Sequence, residues 1–501
     1  MPSASRLLCA MTLPEPEKSL FVVMNELLRA VHGRVALLRP LAGNFDDQRD
    51  DMDLLLTESQ RKQLLRAAYA RCILGDIHCR IQQNSPTKIQ LILWTTDCSS
   101  QLMIDLWTSF DQLPRRRYNA ISAVRLLNTL SDGNASERRE NVHGCPQIPA
   151  LRLLPADIDF CLLVQHLAAK RRKLTTPACR ERIVAACERL RSLATASATV
   201  HDPLLTALLD LASRLPLAMI VTPNFIKVTE ACLLQRLAAV PNNRGLPVLE
   251  RRQRRGPVTE LRKAILQRRP AVAVIGSDGT GKSSIVAALT LQQQNTVTVV
   301  AKKFYRRSLA YQFVGGLIKR LCGMDRGDFD DHVSPWISIR AAAAFWVTMC
   351  LPFSHWSKSR VSGTAMNGPV SVSELSRPKR TLILDRSCVT FLITDRKSDA
   401  PRLTSSATWI EAVTPPVRSV LLTLPYTALE HRKQEMSSAG HEIYQHLLFE
   451  QALRQRPSDL TLLAGLPSAE ESAAALCKIL KWVSLPVGEP RTSTEFGKVA
   501  A

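Results

Sequence analysis

Residues 271–284 read AVAVIGSDGTGKSS. Five small or β-branched apolar residues, AVAVI, have the length and composition of a strand buried on both faces. They run directly into a turn carrying Gly276, Gly279 and Gly281, and then into SSIVAALTL, whose apolar spacing is helical. Gly276, Gly281, Lys282 and Ser283 satisfy the spacing G-x-x-x-x-G-K-[ST]. Backbone N–H groups that curl around a phosphate need positions free of side chains, in dihedrals that glycine reaches readily. The helix that follows offers its N-terminus, with roughly half a positive charge, to the same anion. Lys282 reaches β- and γ-phosphates, and the Ser283 hydroxyl reaches Mg²⁺. Gly276, Ser277, Asp278, Gly279, Thr280, Gly281, Lys282, Ser283 and Ser284 are therefore expected to hold the phosphates of ATP with Mg²⁺.

Working outward, further apolar runs follow: TVTVVAK (296–302), TLILD (381–385), SVLLTL (419–424) and LTLLAG (460–465). With AVAVI they predict a parallel five-stranded α/β sheet with flanking helices and ligands at the carboxyl ends of the strands. TLILD ends in Asp385, followed at once by Arg386. A carboxylate leaving a buried strand beside a phosphate loop can hold a Mg²⁺ water, and the arginine can clamp a second phosphate through a bidentate contact.

The loop GSDGTGKSS, the strand end LILDRS and the later LPYTALEHRKQE together resemble the thymidylate kinase branch of the nucleoside monophosphate kinases. The resemblance covers about 270–485. It implies that Asp278 meets the sugar hydroxyl of an acceptor nucleotide and that Arg386 of the Asp385–Arg386 pair holds the acceptor phosphate. It also implies a lid after Pro425–Leu429, bearing Arg432 and Lys433, that stabilises charge on the phosphoryl group in transfer. Ser387 stands where the family usually has tyrosine, so the acceptor stays open: a nucleoside monophosphate or another small phosphorylated molecule. Kinases of this type are often homodimers.

The first region alternates apolar strands with helix-like segments. In GNFDDQRDDMDLLL (43–56), Asp51 and Asp53 flank one residue, so on a strand both point to one face. Asp105 lies in another apolar strand, QLMIDLW. Three carboxylates on neighbouring strands can hold Mg²⁺ for nucleotidyl transfer. The stretch resembles the nucleotidyltransferase superfamily, with Asn44 in place of the usual serine. The order of segments further resembles uncharacterised bacterial proteins that join such a domain to a helical segment and a thymidylate-kinase-like domain. The division that follows is 18–147, α+β and nucleotidyltransferase-like; 148–240, helical; 241–257, a basic linker; 258–485, the phosphate-loop domain; and 486–501, a loose tail.

The 501 residues are 46% apolar and 22% charged, a globular composition with room for two or three domains. A net charge of +22 favours phosphorylated or polyanionic partners. The runs KRRK (170–173) and RRQRR (251–255) keep nucleic-acid binding, with lapsed transferase chemistry, open as an alternative to the kinase; nucleotidyl transfer is the other. The 13 cysteines are scattered singly, as reduced thiols of a cytoplasmic protein are. The closest group, Cys72, His78 and Cys79, fits no common zinc spacing. The N-terminus lacks a secretory pattern, and the longest apolar run, AAAAFWVTMCLPF (341–353), is too short to span a bilayer.

Overall fold

The computed structural model describes residues 20–38, 51–130, 151–170, 177–196, 202–217, 220–252, 259–262, 264, 271–292, 296–299, 313, 316–317, 320, 381–384, 390, 393–394, 399–403, 417–430, 436–455 and 459–483. The first region holds α1 (Leu20–Arg29), β1 (Val35–Leu37), β2 (Asp51–Leu55), α2 (Glu58–Ile73), β3 (His78–Ser85), β4 (Lys88–Trp94), β5 (Gln101–Trp107), β6 (Ser109–Phe110), β7 (Asn119–Ser122) and α3 (Ala123–Leu127). Next come β8 (Leu151–Leu153), α4 (Ala156–Ala169), α5 (Pro177–Ala196), α6 (Pro203–Arg214), α7 (Pro223–Ala239) and β9 (Glu250–Arg251). The last region holds β10 (Ala271–Ile275), α8 (Lys282–Gln292), β11 (Thr296–Val299), β12 (Thr381–Leu384), β13 (Ile393–Thr394), β14 (Arg402–Leu403), β15 (Arg418–Thr423), α9 (Tyr426–Glu430), α10 (Ser438–Arg454), β16 (Asp459–Ala464) and α11 (Ala469–Val483).

One mixed sheet of 11 strands runs through the protein in the order β11-β12-β10-β15-β16-β3-β4-β5-β2-β1-β8. The first five strands are mutually parallel. Each lies within a residue or two of an apolar run picked out in the sequence; of TVTVVAK the first four residues are described, and they are strand. What the sequence did not foretell is the sixth neighbour. β16 pairs antiparallel with β3, from Asp459 opposite Gln82 to Leu462 opposite Cys79, so the sheet does not stop at five strands. On the far side β2 lies between β5, parallel to it, and β1, antiparallel.

Side chains alternate across the sheet and build a layer on each face. Ala271, Ala273, Ile275, Leu421, Leu460 and Leu462 share one core with Ile81, Leu91 and Ile104 of the first region, under α1, α2 and α10. Tyr69 of α2 stacks on Phe449 of α10, centroids 4.4 Å apart and planes 11° from parallel. The opposite face buries Val272, Val274, Val420 and Leu422 with Ile92 and Trp94 under α8 and α11. Farther along, Leu55, Trp107 and Phe110 share a core with the helices α4 to α7. The helical segment therefore packs onto the first region rather than standing apart from it.

Local signals account for the helix starts. Thr57 and Gln60 form a reciprocal capping box at α2, with Gln60 N–H donating to Thr57 Oγ1 (3.2 Å) and Thr57 N–H to Gln60 Oε1 (2.8 Å). Asp202 caps α6 by accepting from the Leu204 and Leu205 N–H groups. At α4 Pro155 holds the cap position, and Asp157 sits in the first turn and pairs with Arg236 of α7 at 2.8 Å. Among the described residues no helix is long and apolar enough to cross a membrane. The apolar run 341–353 lies outside them.

Candidate functional site

β10 is buried at all five positions and delivers the chain to the carboxyl edge of the sheet at Gly276. A Cβ on Gly276 would lie 2.8 Å from Thr280 Oγ1 and 3.3 Å from the Leu422 carbonyl oxygen, so a side chain there would collide with the loop's own threonine and crowd the β15 backbone. Gly279 and Gly281 have φ of 88° and 83°, the left-handed region that side chains disfavour. The turn closes on one acceptor. Ser277 O takes a hydrogen bond from Thr280 Oγ1 (2.8 Å) and another from Lys282 Nζ (2.6 Å). The Lys282 ammonium also lies 3.4 Å from Asp278 Oδ1. Lys282 is thus drawn back along the loop instead of extending into solvent, and it is buried.

Ser277 is fully buried, and among the described residues its hydroxyl oxygen has no hydrogen-bond partner. Such a group invites a ligand atom, because an unpaired buried hydroxyl is costly. Ser283 and Ser284 are exposed on the first turn of α8. A glycine cradle, an ammonium, an unpaired hydroxyl and a helix N-terminus together suit a phosphate chain with its Mg²⁺.

Beside the loop lies a cavity of about 120 Å³. It is lined by Thr280, Gly281, Ser284 and Ile285 from the loop and α8, by Leu422 and Leu424 at the end of β15, and by a wall of Leu463 to Ser468 with Ala469 and Ser472 at the end of β16. The cavity is too small for a whole nucleotide, whose sites run to roughly 300 Å³ or more. Its size and mostly apolar lining suit one flat heterocycle. Leu424 is held from behind, since its carbonyl accepts from His441 Nε2 (3.0 Å) and Gln445 Nε2 (2.8 Å). Burial lowers the pKa of His441 below the usual histidine range.

The far wall is anchored from the first region. His78 Nδ1 accepts from Ala464 N–H at 3.0 Å, and His78 Nε2 lies 3.0 Å from the Thr96 carbonyl oxygen. Burial pushes the His78 pKa down to about 4, so the ring is neutral. His78 and Cys79 are consecutive on a strand and face opposite ways. Cys79 and Cys72 belong to the core beneath α2, where burial pushes the Cys72 thiol well up.

The acceptor-side residues named from the sequence, Asp385, Arg386, Arg432 and Lys433, lie outside the described residues. Leu384, directly before Asp385, pairs with Ala273 of β10, two residues from its end.

In the first region, Asp53 and Asp105 stand directly opposite each other on the parallel pair β2–β5. Both are buried and engaged. Asp53 Oδ1 accepts from Trp107 Nε1 at 2.7 Å, and Asp105 pairs with the Lys88 ammonium and accepts from Gln90 Nε2 at 3.3 Å. Lys88 Nζ also sits 4.9 Å from the centre of the Trp107 ring. A protein cation thus already neutralises the Asp105 carboxylate. The Asp51 side chain is not among those described; among the described residues no group of three or more metal-binding side chains forms.

Pairing of β7 with β9 brings the exposed run Arg115–Arg117 beside Arg251 and Arg252, though Glu230 holds Arg116 (2.8 Å) and Asp111 holds Arg252 (3.0 Å). Residues 171–173 and 253–255 of the basic runs lie outside the described residues. The cavity itself was not foreseen from the sequence: His78 drew notice there only beside Cys72 and Cys79, and Gly465 only as the end of an apolar run. Comparison of the chain with family models, curated proteins and solved structures gives no match.

Proposed function

We propose that the protein is an ATP- and Mg²⁺-dependent phosphotransferase of the nucleoside monophosphate kinase type, acting on a small phosphorylated acceptor. The supporting observation is the position of the loop 276–284. From β10 the chain goes to β11 and β12 on one flank, then to β15 and β16 on the other. That reversal opens a crevice at the carboxyl ends of the strands, where open α/β sheets bind their ligands. The glycine loop and the cavity both sit there.

In this reading the loop backbone and the α8 N-terminus hold the phosphate chain, Ser283 reaches the metal, and the cavity takes the base. ATP with Mg²⁺ supplies the phosphoryl group and neutralises part of its charge. Lys282 exchanges the Ser277 carbonyl for phosphate oxygens and fixes their position, since phosphoryl transfer depends mainly on positioning and charge. Asp278, Asp385, Arg386 and Arg432 take the acceptor-side roles that the family resemblance implies.

The test is ATP consumption against a panel of nucleoside monophosphates and small phosphorylated metabolites, with product identification. Lys282→Ala is expected to cut turnover by about 10²-fold or more, as removal of one preorganised donor does elsewhere. Equal turnover in the variant, or no heat on titrating magnesium-loaded triphosphate into the wild type, defeats the reading.

A further inference from the structure

We infer that His78, although it comes from outside the five parallel strands, is a positioning residue for the base-binding wall, so that the first region of the chain sets affinity for the base of the nucleotide. The inference rests on the proposed nucleotide site and specifies how one wall of it is held.

The wall begins where β16 ends. Pairing of β16 with β3 stops at Leu462 opposite Cys79. Two residues on, the Ala464 N–H receives a ring nitrogen in place of a strand: His78 Nδ1, at 3.0 Å. The second ring nitrogen faces the Thr96 carbonyl oxygen at 3.0 Å. A carbonyl can only accept and an N–H can only donate, so the two contacts together require the neutral tautomer carrying its proton on Nε2. His78 is fully buried, so both contacts lie away from the solvent-exposed surface.

The neighbouring strand end is tied to the same region. Thr423 Oγ1 donates to the Cys72 carbonyl at the end of α2 (3.0 Å), and Gly465 N–H donates to Thr423 O (3.0 Å). Gly465 also leaves no slack on the cavity side, because a Cβ there would lie 2.0 Å from Leu424 Cδ2. The backbone at 464–465 is therefore set between Leu424 and His78. If the His78 contact is lost, Ala464 N–H is left buried without an acceptor, and the wall must move to recover one.

The test compares two ligands on the full chain by titration calorimetry: MgADP, which has a base, and magnesium pyrophosphate, which has none. In His78→Asn the carboxamide oxygen falls near the place of Nδ1 and still accepts from Ala464; His78→Gln reaches toward Thr96 and leaves Ala464 unpaired. The expected result is MgADP affinity weakened about tenfold in His78→Gln, with pyrophosphate affinity held within about twofold and His78→Asn close to wild type. The inference is overturned if His78→Gln binds MgADP like wild type, if His78→Asn loses as much, or if both ligands weaken together. Should His78→Gln fail to fold, Thr423→Val carries the same comparison through the Cys72 contact, with the same outcomes deciding. A wild type that binds pyrophosphate but not MgADP overturns this inference alone. Binding of neither overturns the nucleotide site and this inference with it.

Discussion

The carbonyl oxygen of Ser277 gathers the phosphate loop, and its donors Thr280 and Lys282 lie three and five positions ahead. All these contacts are local, which is why the loop could be read from seven letters. His78 is the opposite case. Its partners Thr96 and Ala464 are 18 and 386 residues away, and no spacing rule connects them. The carboxylates of the first region lie between these extremes. The shared face of Asp51 and Asp53 could be argued from strand periodicity, but the register that sets Asp105 opposite Asp53, and the Lys88 ammonium and Trp107 indole that occupy them, could not. The buried histidine also sets a pH response. Its folded pKa of about 4 lies below the ordinary 6.5, so the unfolded chain binds the proton more readily. The stability contributed by a neutral His78 is complete above about pH 6.5 and is lost as pH falls toward 4. His441 and His446, both lowered mainly by burial, act in the same direction. Denaturant titrations at pH 7 and pH 4.5 should show a loss of about 2 to 3 kcal/mol from His78 alone, and His78→Asn should remove that part of the slope. Asp97, held near 2 mainly by the Thr95 hydroxyl and the Ser99 N–H, gives up its share only below about pH 4, outside this window.

Among the elements, the β16–β3 pairing is the least expected. The parallel strands were legible because each is an apolar run between turn signals, and β3 and β16 were each visible alone. Their partnership was not, because pairing across hundreds of residues is decided by side chains that meet only in the folded state. Among these is an ion pair. Arg80 Nε and Nη2 each donate to an Asp459 carboxylate oxygen at 2.8 Å, and Arg418 stands 3.4 Å away. Burial alone would raise the Asp459 pKa, but the Arg80 and Arg418 guanidinium groups and the Gln82 carboxamide together outweigh it and bring the pKa below the usual range. Removing the carboxylate would strand a guanidinium that is almost wholly buried. Asp459→Asn is expected to cost about 3 to 5 kcal/mol, seen as a lower denaturant midpoint. An unchanged midpoint would show that the two halves of the sheet are not joined through this pair.

For the molecule as a whole, the described sheet and its cores draw on residues from more than one of the segments read from the sequence. One core draws on residues from Leu20 to Leu462, and a second joins the helical segment to the first region. The full chain should therefore unfold in one cooperative transition. The piece 258–485 made alone, with the outer edge of β16 exposed, should aggregate or lack a cooperative melt. A soluble fragment with full MgATP affinity would refute that dependence. Texture along the sequence shows where apolar runs change period, not which faces they cover together, so the cores were not legible from it. The β3–β16 pairing also imposes an order on biosynthesis. Arg80 is translated 379 residues before Asp459. At about 5 to 20 residues per second, one side of the sheet waits roughly 20 to 75 s for the strand that completes it. Through that interval the emerging polypeptide carries an open ladder and half of an ion pair, an exposed edge that can pair wrongly until β16 has been made.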